Sequence, residues 1–201
     1  RRLNGTTKYN STIVPQVSSA NERIQMSAIF NDKIIAARGG TVSYGDTSGS
    51  WTSLATSQGT THTYDFDKFN FNGTSKIIVA TGEAASFTVD SSFNVDVINA
   101  TGGGTAPTNP KFVKTFANHV FYGGMSNSTH SILFSVPFSE DNFTSGSGAG
   151  EIKVGDIVTG LKVFRDELFI FCQRKIYKLT GTTSTNFALA EVAKNVGTIA
   201  H

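Results

Sequence analysis

One cysteine, one tryptophan, two methionines and four prolines are all that the 201 residues hold of those types. Each shortage excludes something. With Cys172 alone, neither an internal disulfide framework nor a cysteine-based zinc site can be built. Charge is scarce: charged residues make up 16% of the chain and the formal net charge is +2. That is too small a balance to argue for nucleic acid or an anionic membrane as partner, and no block of five or more like charges occurs. No apolar run approaches the roughly 20 residues that span a bilayer as a helix. Helical periodicity is nearly absent. The chain opens Arg1-Arg2-Leu3-Asn4, with neither Met nor an apolar h-region. This argues against a signal peptide and for a piece of a longer polypeptide.

What the chain has instead is phenylalanine, 16 of them, and 20 glycines amid abundant Ser and Thr. Flat, bulky rings suit packing between sheets, and small polar residues suit many short strands joined by tight turns. The length admits one or two domains, and all-β units of this size are often single. Six N-x-[ST] sequons occur, at Asn4, Asn10, Asn72, Asn99, Asn127 and Asn142. A chain this rich in Asn, Ser and Thr produces such triplets by chance, and the lack of disulfides argues against secretion.

A repeat organises the sequence. Phe30-Asn31-Asp32, Phe71-Asn72-Gly73, Phe116-Ala117-Asn118 and Phe164-Arg165-Asp166 each lead into a strand apolar on both faces. These strands are Ile34 to Ala37, Ile77 to Ala80, Val120 to Gly123 and Leu168 to Phe171. The Phe-to-Phe intervals are 41, 45 and 48 residues. A second strand is expected after each, at Thr41–Tyr44, Ser86–Val89, Ser131–Phe134 and Lys175–Leu179. A third is expected at Trp51–Leu54, Phe93–Val97, Phe138–Phe143 and Phe187–Leu189. The segment before each Phe supplies a fourth: Ile24–Ile29, Tyr64–Phe69, Phe112–Thr115 and Ile157–Val163. Four strands every 40 to 50 residues is the spacing of β-propeller blades, whose stacking buries both faces of the middle strands. The fold class expected is therefore all-β, a propeller of four-stranded blades, about four of them here as a fragment of a larger propeller. A β-sandwich is the rival.

Glycines Gly39-Gly40, Gly82 and Gly123-Gly124 are expected to turn the chain after three of the apolar strands, with Gln173-Arg174 in the fourth unit. Residues 1–20 lack the repeat and read as a lead-in strap, with blades over 21–201. Thr101 to Pro107, with Gly102-Gly103-Gly104 inside it, reads as a flexible connection between the second and third units, and Ser145 to Gly150 as a long loop in the third. The sequence stops at Asn195 to His201, where a further unit would begin.

No constellation points to chemistry. His62, His119, His130 and His201 stand apart, without metal-ligand spacing. Asp65 and Asp67 alternate and share one strand face, which suits calcium or acid–base work. No further ligands follow at loop spacing, so a solvated outer edge strand is the plainer expectation. Glu140-Asp141 reads as turn chemistry, and Cys172 as a small buried hydrophobe. Arg174, Lys175 and Lys178 form a small basic cluster on a hairpin, either a solvated turn or a phosphate contact. The glycine stretches lack the strand–turn–helix context of phosphate loops. No catalytic, cofactor-binding or metal site is expected. Asp46-Thr47-Ser48-Gly49-Ser50-Trp51 resembles the Asp-box turn of sialidase-type propellers, with the Asp–Gly spacing shifted by one residue. It occurs once, and the arginines of a sialidase site are missing.

Three stretches carry a family resemblance: Phe112 to Gly124, Leu133 to Phe143, and Gly148 to Phe171, continuing through Ile176 to Gly181 and Asn195 to Gly197. They resemble the blades of bacteriophage tail nozzle proteins, also called tail tubular protein B, over roughly residues 25–201. The resemblance implies a structural virion component, a hexameric ring at the tail tip. It would contact a tail adaptor and tail fibres, and DNA would pass through it transiently during ejection. It carries no catalytic residues across. The alternative is a glycan-binding or sialidase-like propeller. That reading asks for repeated surface aromatic pockets, and Trp51 stands alone.

Overall fold

The computed structural model describes residues 12–16 and 22–196. Most of the expected strap lies outside these residues, as do Asn4, Asn10 and His201. Within them the chain forms four four-stranded antiparallel sheets and no α-helix. The first sheet holds β1 (Ile24–Phe30), β2 (Lys33–Arg38), β3 (Thr41–Gly45) and β4 (Trp51–Ala55). The second holds β5 (Asp65–Phe71), β6 (Thr74–Ala80), β7 (Phe87–Asp90) and β8 (Val95–Val97). The third holds β9 (Phe112–Phe116), β10 (His119–Met125), β11 (Ser128–Phe134) and β12 (Gly150–Lys153). The fourth holds β13 (Val158–Phe164), β14 (Glu167–Cys172), β15 (Lys175–Thr180) and β16 (Ala188–Lys194). Each is a meander in sequence order. The chain divides after Thr60 into two compact units, the first sheet in one and the other three in the other.

The repeat has a local cause. In every sheet the anchor Phe is the last residue of the first strand. It pairs with the first residue of the second: Phe30 with Lys33, Phe71 with Thr74, Phe116 with His119, Phe164 with Glu167. The two residues between have positive φ in all four hairpins: Asn31 and Asp32, Asn72 and Gly73, Ala117 and Asn118, Arg165 and Asp166. Positive φ at both central positions is the pattern of a type I′ turn, whose twist matches that of paired strands and which favours Asn, Asp and Gly.

In the second unit, β5, β9 and β13 lie side by side, so the sheets stack through their first strands. Phe69, Ile78, Val113, Val120 and Tyr122 form one core layer between the second and third sheets. Phe121, Phe134, Leu161, Leu168 and Ile170 form the next, between the third and fourth. β10 serves both layers, and all seven of its residues are buried.

Three expectations need correction. The fourth strand of the third sheet is Gly150–Lys153, not Phe138–Phe143. Residues 135–149 make an excursion in which Phe143 is buried beside Tyr122 and Ser145–Ser147 form a 3-10 turn. Gly123 and Gly124 do not turn the chain but lie inside β10, at a β-bulge. A Cβ on Gly123 would sit 3.1 Å from Val158, so its bareness lets β13 approach, while Gly124 takes the positive φ of the bulge. Finally, Gly102–Gly104 is no loose connection. Phe143 N–H donates to Gly103 O at 2.7 Å, and a Cβ on Gly104 would lie 2.3 Å from the Phe143 carbonyl.

Candidate functional site

The residues that sequence singles out are mostly used by the fold. Asp65 and Asp67 sit on β5, an inner strand rather than a solvated outer edge. Their shared face points at β9. Asp65 Oδ2 accepts the Val113 N–H at 3.0 Å, and Asp67 Oδ2 accepts the Thr115 N–H and hydroxyl, each at 2.7 Å. Returning the contact, Lys114 Nζ reaches Asp65 Oδ1 at 2.6 Å and the Phe66 carbonyl at 2.9 Å. Free strand edges invite pairing with other chains, and here the side chains of β5 and β9 satisfy them. A cavity of about 490 Å³ opens beside this clamp, with Leu161, Lys162 and Val163 of β13 on its far wall.

Glu140 and Asp141 do more than shape a turn. Asp141 Oδ1 accepts the N–H groups of Asn99 and Ala100 at 2.8 and 2.6 Å, and Oδ2 that of Thr101 at 2.9 Å. The Thr101 hydroxyl also donates to it. Three consecutive amides facing one anion form a nest of the kind that binds phosphate elsewhere, and the chain fills its own. Glu140 pairs with Lys76. The excursion 135–149 is thereby stitched to the second sheet.

Asp46 accepts from Lys33 Nζ and from the Ser48 N–H, both at 2.8 Å, in the hairpin joining β3 and β4. The Lys33 contact holds its carboxyl well below the usual carboxylate range. Trp51 lies over Gly45, where a Cβ would meet its ring at 2.8 Å. The Asp-box-like segment is thus a hairpin closure. Asp90 plays the same part in the next sheet, accepting from Ser92, Asn94 and the Asn94 carboxamide. The Asn94 bonds are the main reason its carboxyl sits below the ordinary value.

Of the basic hairpin, Lys175 pairs with Glu191 at 3.0 Å and Lys178 with Glu167 at 2.7 Å, while the Arg174 N–H donates to Asp156. Cys172 is fully buried, and burial pushes its thiol up to about 11, which leaves it inert at neutral pH. His130 is exposed beside Thr129, and His62 is half-buried in the loop before β5. Among the described residues, no group of three or more His, Cys, Asp or Glu could hold a metal ion.

His119 is the residue whose setting sequence did not foretell. It is fully buried at the start of β10, and its ring lies 5.3 to 6.2 Å from those of Phe121, Phe134 and Phe187. Nδ1 donates to the Ser135 carbonyl at 2.6 Å, which fixes the neutral tautomer, and Nε2 has no partner. Desolvation lowers its pKa, opposed by the Ser135 bond.

The fourth sheet has two unlike faces. Leu161, Leu168, Ile170, Cys172 and Leu179 are buried against the third sheet. The opposite face carries Phe169, Phe171 and Ile176, half-buried, and Phe164, which is 56% exposed. In the second and third sheets the corresponding strands β6 and β10 are buried on both faces over Ile77–Ala80 and His119–Met125.

No family model matches this chain, and no curated protein matches it. Solved structures do. The chain is similar to Sqt1 of Saccharomyces cerevisiae, with a TM-score of 0.54 and 12% identity, over 87% of this chain and 49% of that one. It is also similar to BBS1N, crystallised in complex with ARL6DN, with a TM-score of 0.49 and 8% identity over 92% of this chain and 55% of that one. The N-terminal domain of Nup159 gives 0.45 and 11%, over 94% and 54%. The chain therefore spans about half the length of the solved structures it matches. With four four-stranded meanders, those of the second unit stacked through their first strands, the likeness to Sqt1 establishes the fold as a β-propeller.

Proposed function

We propose that this chain is a non-catalytic assembly module, part of a propeller in the tail nozzle of a short-tailed bacteriophage. The observation that carries the assembly reading is the open apolar face of the fourth sheet. Leu168-Phe169-Ile170-Phe171 is a strand apolar on both sides, yet only Leu168 and Ile170 are buried. A further sheet laid on Phe164, Phe169, Phe171 and Ile176 would complete the burial that β10 already enjoys. An exposed apolar surface of this kind marks an interaction site. The engagement of Asp65, Asp67, Asp90 and Asp141 in backbone capture supports a structural role over catalysis, because these carboxylates are committed to holding strands and loops.

The finer reading rests on the similarity of Phe112 to Gly124, Leu133 to Phe143 and Gly148 to Phe171 to tail nozzle blades. It assigns the protein to the virion, in a ring with six-fold symmetry that meets a tail adaptor and tail fibres and lets DNA pass. The net charge of +2 agrees with a conduit, since dense phosphate neutralisation would retard the moving duplex. The test is direct. The complete reading frame, expressed and imaged, should form a ring and be found in purified virions. Phe169→Ser with Phe171→Ser should leave the chain folded and abolish the ring. A soluble monomer that cleaves a sialoside or polysaccharide, with activity lost on replacing Asp46, would overturn the reading in favour of a glycosidase.

A further inference from the structure

The first sheet, like the fourth, has two unlike faces. Met26, Ala28, Phe30, Ile35 and Ala37 are buried on one. On the other lie Ser27 and Ile29 of β1 with Ile34 and Arg38 of β2. Ile29 is 67% exposed, and Ile24, opposite Arg38 beyond a β-bulge, is 49% exposed. Trp51 belongs to the same side, because it pairs with Gly45 and Gly45 with Ile34. Residues 12–16 run along this side. The Trp51 indole N–H donates to the Thr12 carbonyl at 3.4 Å, and Arg38 Nη1 donates to the Val14 carbonyl at 3.2 Å. Between these two anchored residues stands Ile13, 78% exposed. Three isoleucines are thus held towards solvent on one side of the first unit, and apolar side chains presented together mark an interaction surface.

A seam that the chain already makes shows what such a surface fits. Between the third and fourth sheets, rings meet aliphatic side chains: Phe116, Phe121 and Phe134 on one side, Leu161, Leu168 and Ile170 on the other. The open face of the fourth sheet repeats the ring side of that seam. Phe164 ends its strand as Phe116 does, and Phe169 follows Phe164 by five residues, as Phe121 follows Phe116. The isoleucine side of the first sheet has the aliphatic character of the other half. Charge does not oppose their meeting. On the fourth sheet Lys178 is paired with Glu167 at 2.7 Å, and on the first Arg38 is engaged by the carbonyls of Val14 and Glu22.

Building on the assembly reading above, we propose that two copies of this chain associate head to tail, the isoleucine side of the first sheet of one laid on the open aromatic face of the fourth sheet of the other. The occupant is a second copy because the contact continues the stack by the rule of the existing seam, aromatic face to aliphatic face. Two fourth sheets placed face to face would instead set rings on rings and leave Ile13, Ile24 and Ile29 in water. The contact is heterologous, with a different surface on each partner, and such contacts generate closed rings or filaments. A ring-forming module needs that kind of contact.

Sedimentation velocity of the 201-residue chain, from about 1 to about 100 μM, should give a sedimentation coefficient that rises with concentration. Ile29→Lys and Phe164→Lys change exposed side chains and so leave the fold intact, which circular dichroism checks. Each should weaken self-association by at least about tenfold. Each variant keeps one good surface, and the good surfaces differ. An equimolar mixture of the two should therefore restore a two-chain species that neither forms alone. Association undiminished in Ile29→Lys, or a mixture that stays monomeric while the unaltered chain associates, overturns the head-to-tail contact and leaves the assembly reading standing. An unaltered chain that is monomeric throughout the range also overturns it. Imaging the complete reading frame then separates the two readings: a ring there keeps the assembly reading, and its absence removes both.

Discussion

Asp67 holds Thr115 twice, accepting both its backbone N–H and its hydroxyl at 2.7 Å across the seam between the second and third sheets. The bond joins the free edges of two inner strands that do not pair with each other. Removing the acceptor leaves the Thr115 amide without a partner in a half-buried position. Asp67→Ala should therefore lower stability by about 2 kcal/mol, in the range for hydrogen bonds to a charged group. Asp67→Asn, which keeps an acceptor oxygen, should cost less. Urea unfolding of both variants checks the order.

The first hairpin of each sheet makes a prediction about empty space. Gly73 has φ +82°, and nothing lies within 4 Å of where its Cβ would be. Gly73→Ala should nonetheless cost about 1 kcal/mol, because the penalty is in the backbone and not in packing. Ala117 occupies the same kind of turn at φ +48°, and Ala117→Gly should shift the unfolding midpoint in the opposite direction. Equal shifts of one sign would remove the type I′ explanation of the repeat.

Those hairpins are also why so much of the fold was legible. Asn31-Asp32, Asn72-Gly73 and Asn118 are residues that adopt positive φ readily, set between apolar strands at a steady interval, and both signals are local. What was not legible is long-range. Asp67 and Thr115 are 48 positions apart, and sequence does not tell an inner edge strand from an outer one. The segment Phe138–Phe143 has a strand's apolar content, but its rings serve the seam, Phe143 inside the core and Phe138 outside it. The true fourth strand, Gly150–Lys153, is short and half polar. Gly102–Gly104 looked loose because its partner, Asn142–Thr144, lies 40 residues on.

Acid should expose His119. Its pKa is lowered in the folded state, chiefly by desolvation. The folded protein thus binds fewer protons than the unfolded one as pH falls through the ordinary histidine range near 6.5. Stability from this group is fully present above that pH and is lost progressively below it, towards the folded pKa. In His119→Phe the ring is retained and the titration is gone. The difference in unfolding free energy between the two proteins, measured from pH 8 to pH 5, should move in favour of the variant as pH falls. A difference constant with pH would mean that Nε2 finds a partner when protonated.

Phe116 and Phe164 occupy the same place in the repeat and should behave differently on truncation. Phe116 is 8% exposed and belongs to the core layer between the third and fourth sheets, its ring 5.9 Å from that of Phe121. Phe164 is 56% exposed, on the open face of the fourth sheet, against Phe169 at 6.4 Å and beneath Arg165 at 5.2 Å. Phe116→Ala should cost about 3–5 kcal/mol, the range for a large ring deleted from a packed interior. Phe164→Ala should cost under about 1 kcal/mol in the isolated chain, because little burial is lost. The two losses should converge only if the open face is covered. If the assembly proposed above forms, Phe164→Ala should become the severe variant there, measured as loss of incorporation, while remaining mild in solution. If it is equally mild in both settings, the fourth sheet's open face is not an assembly surface, and the two-sided apolar character of β14 needs another cause.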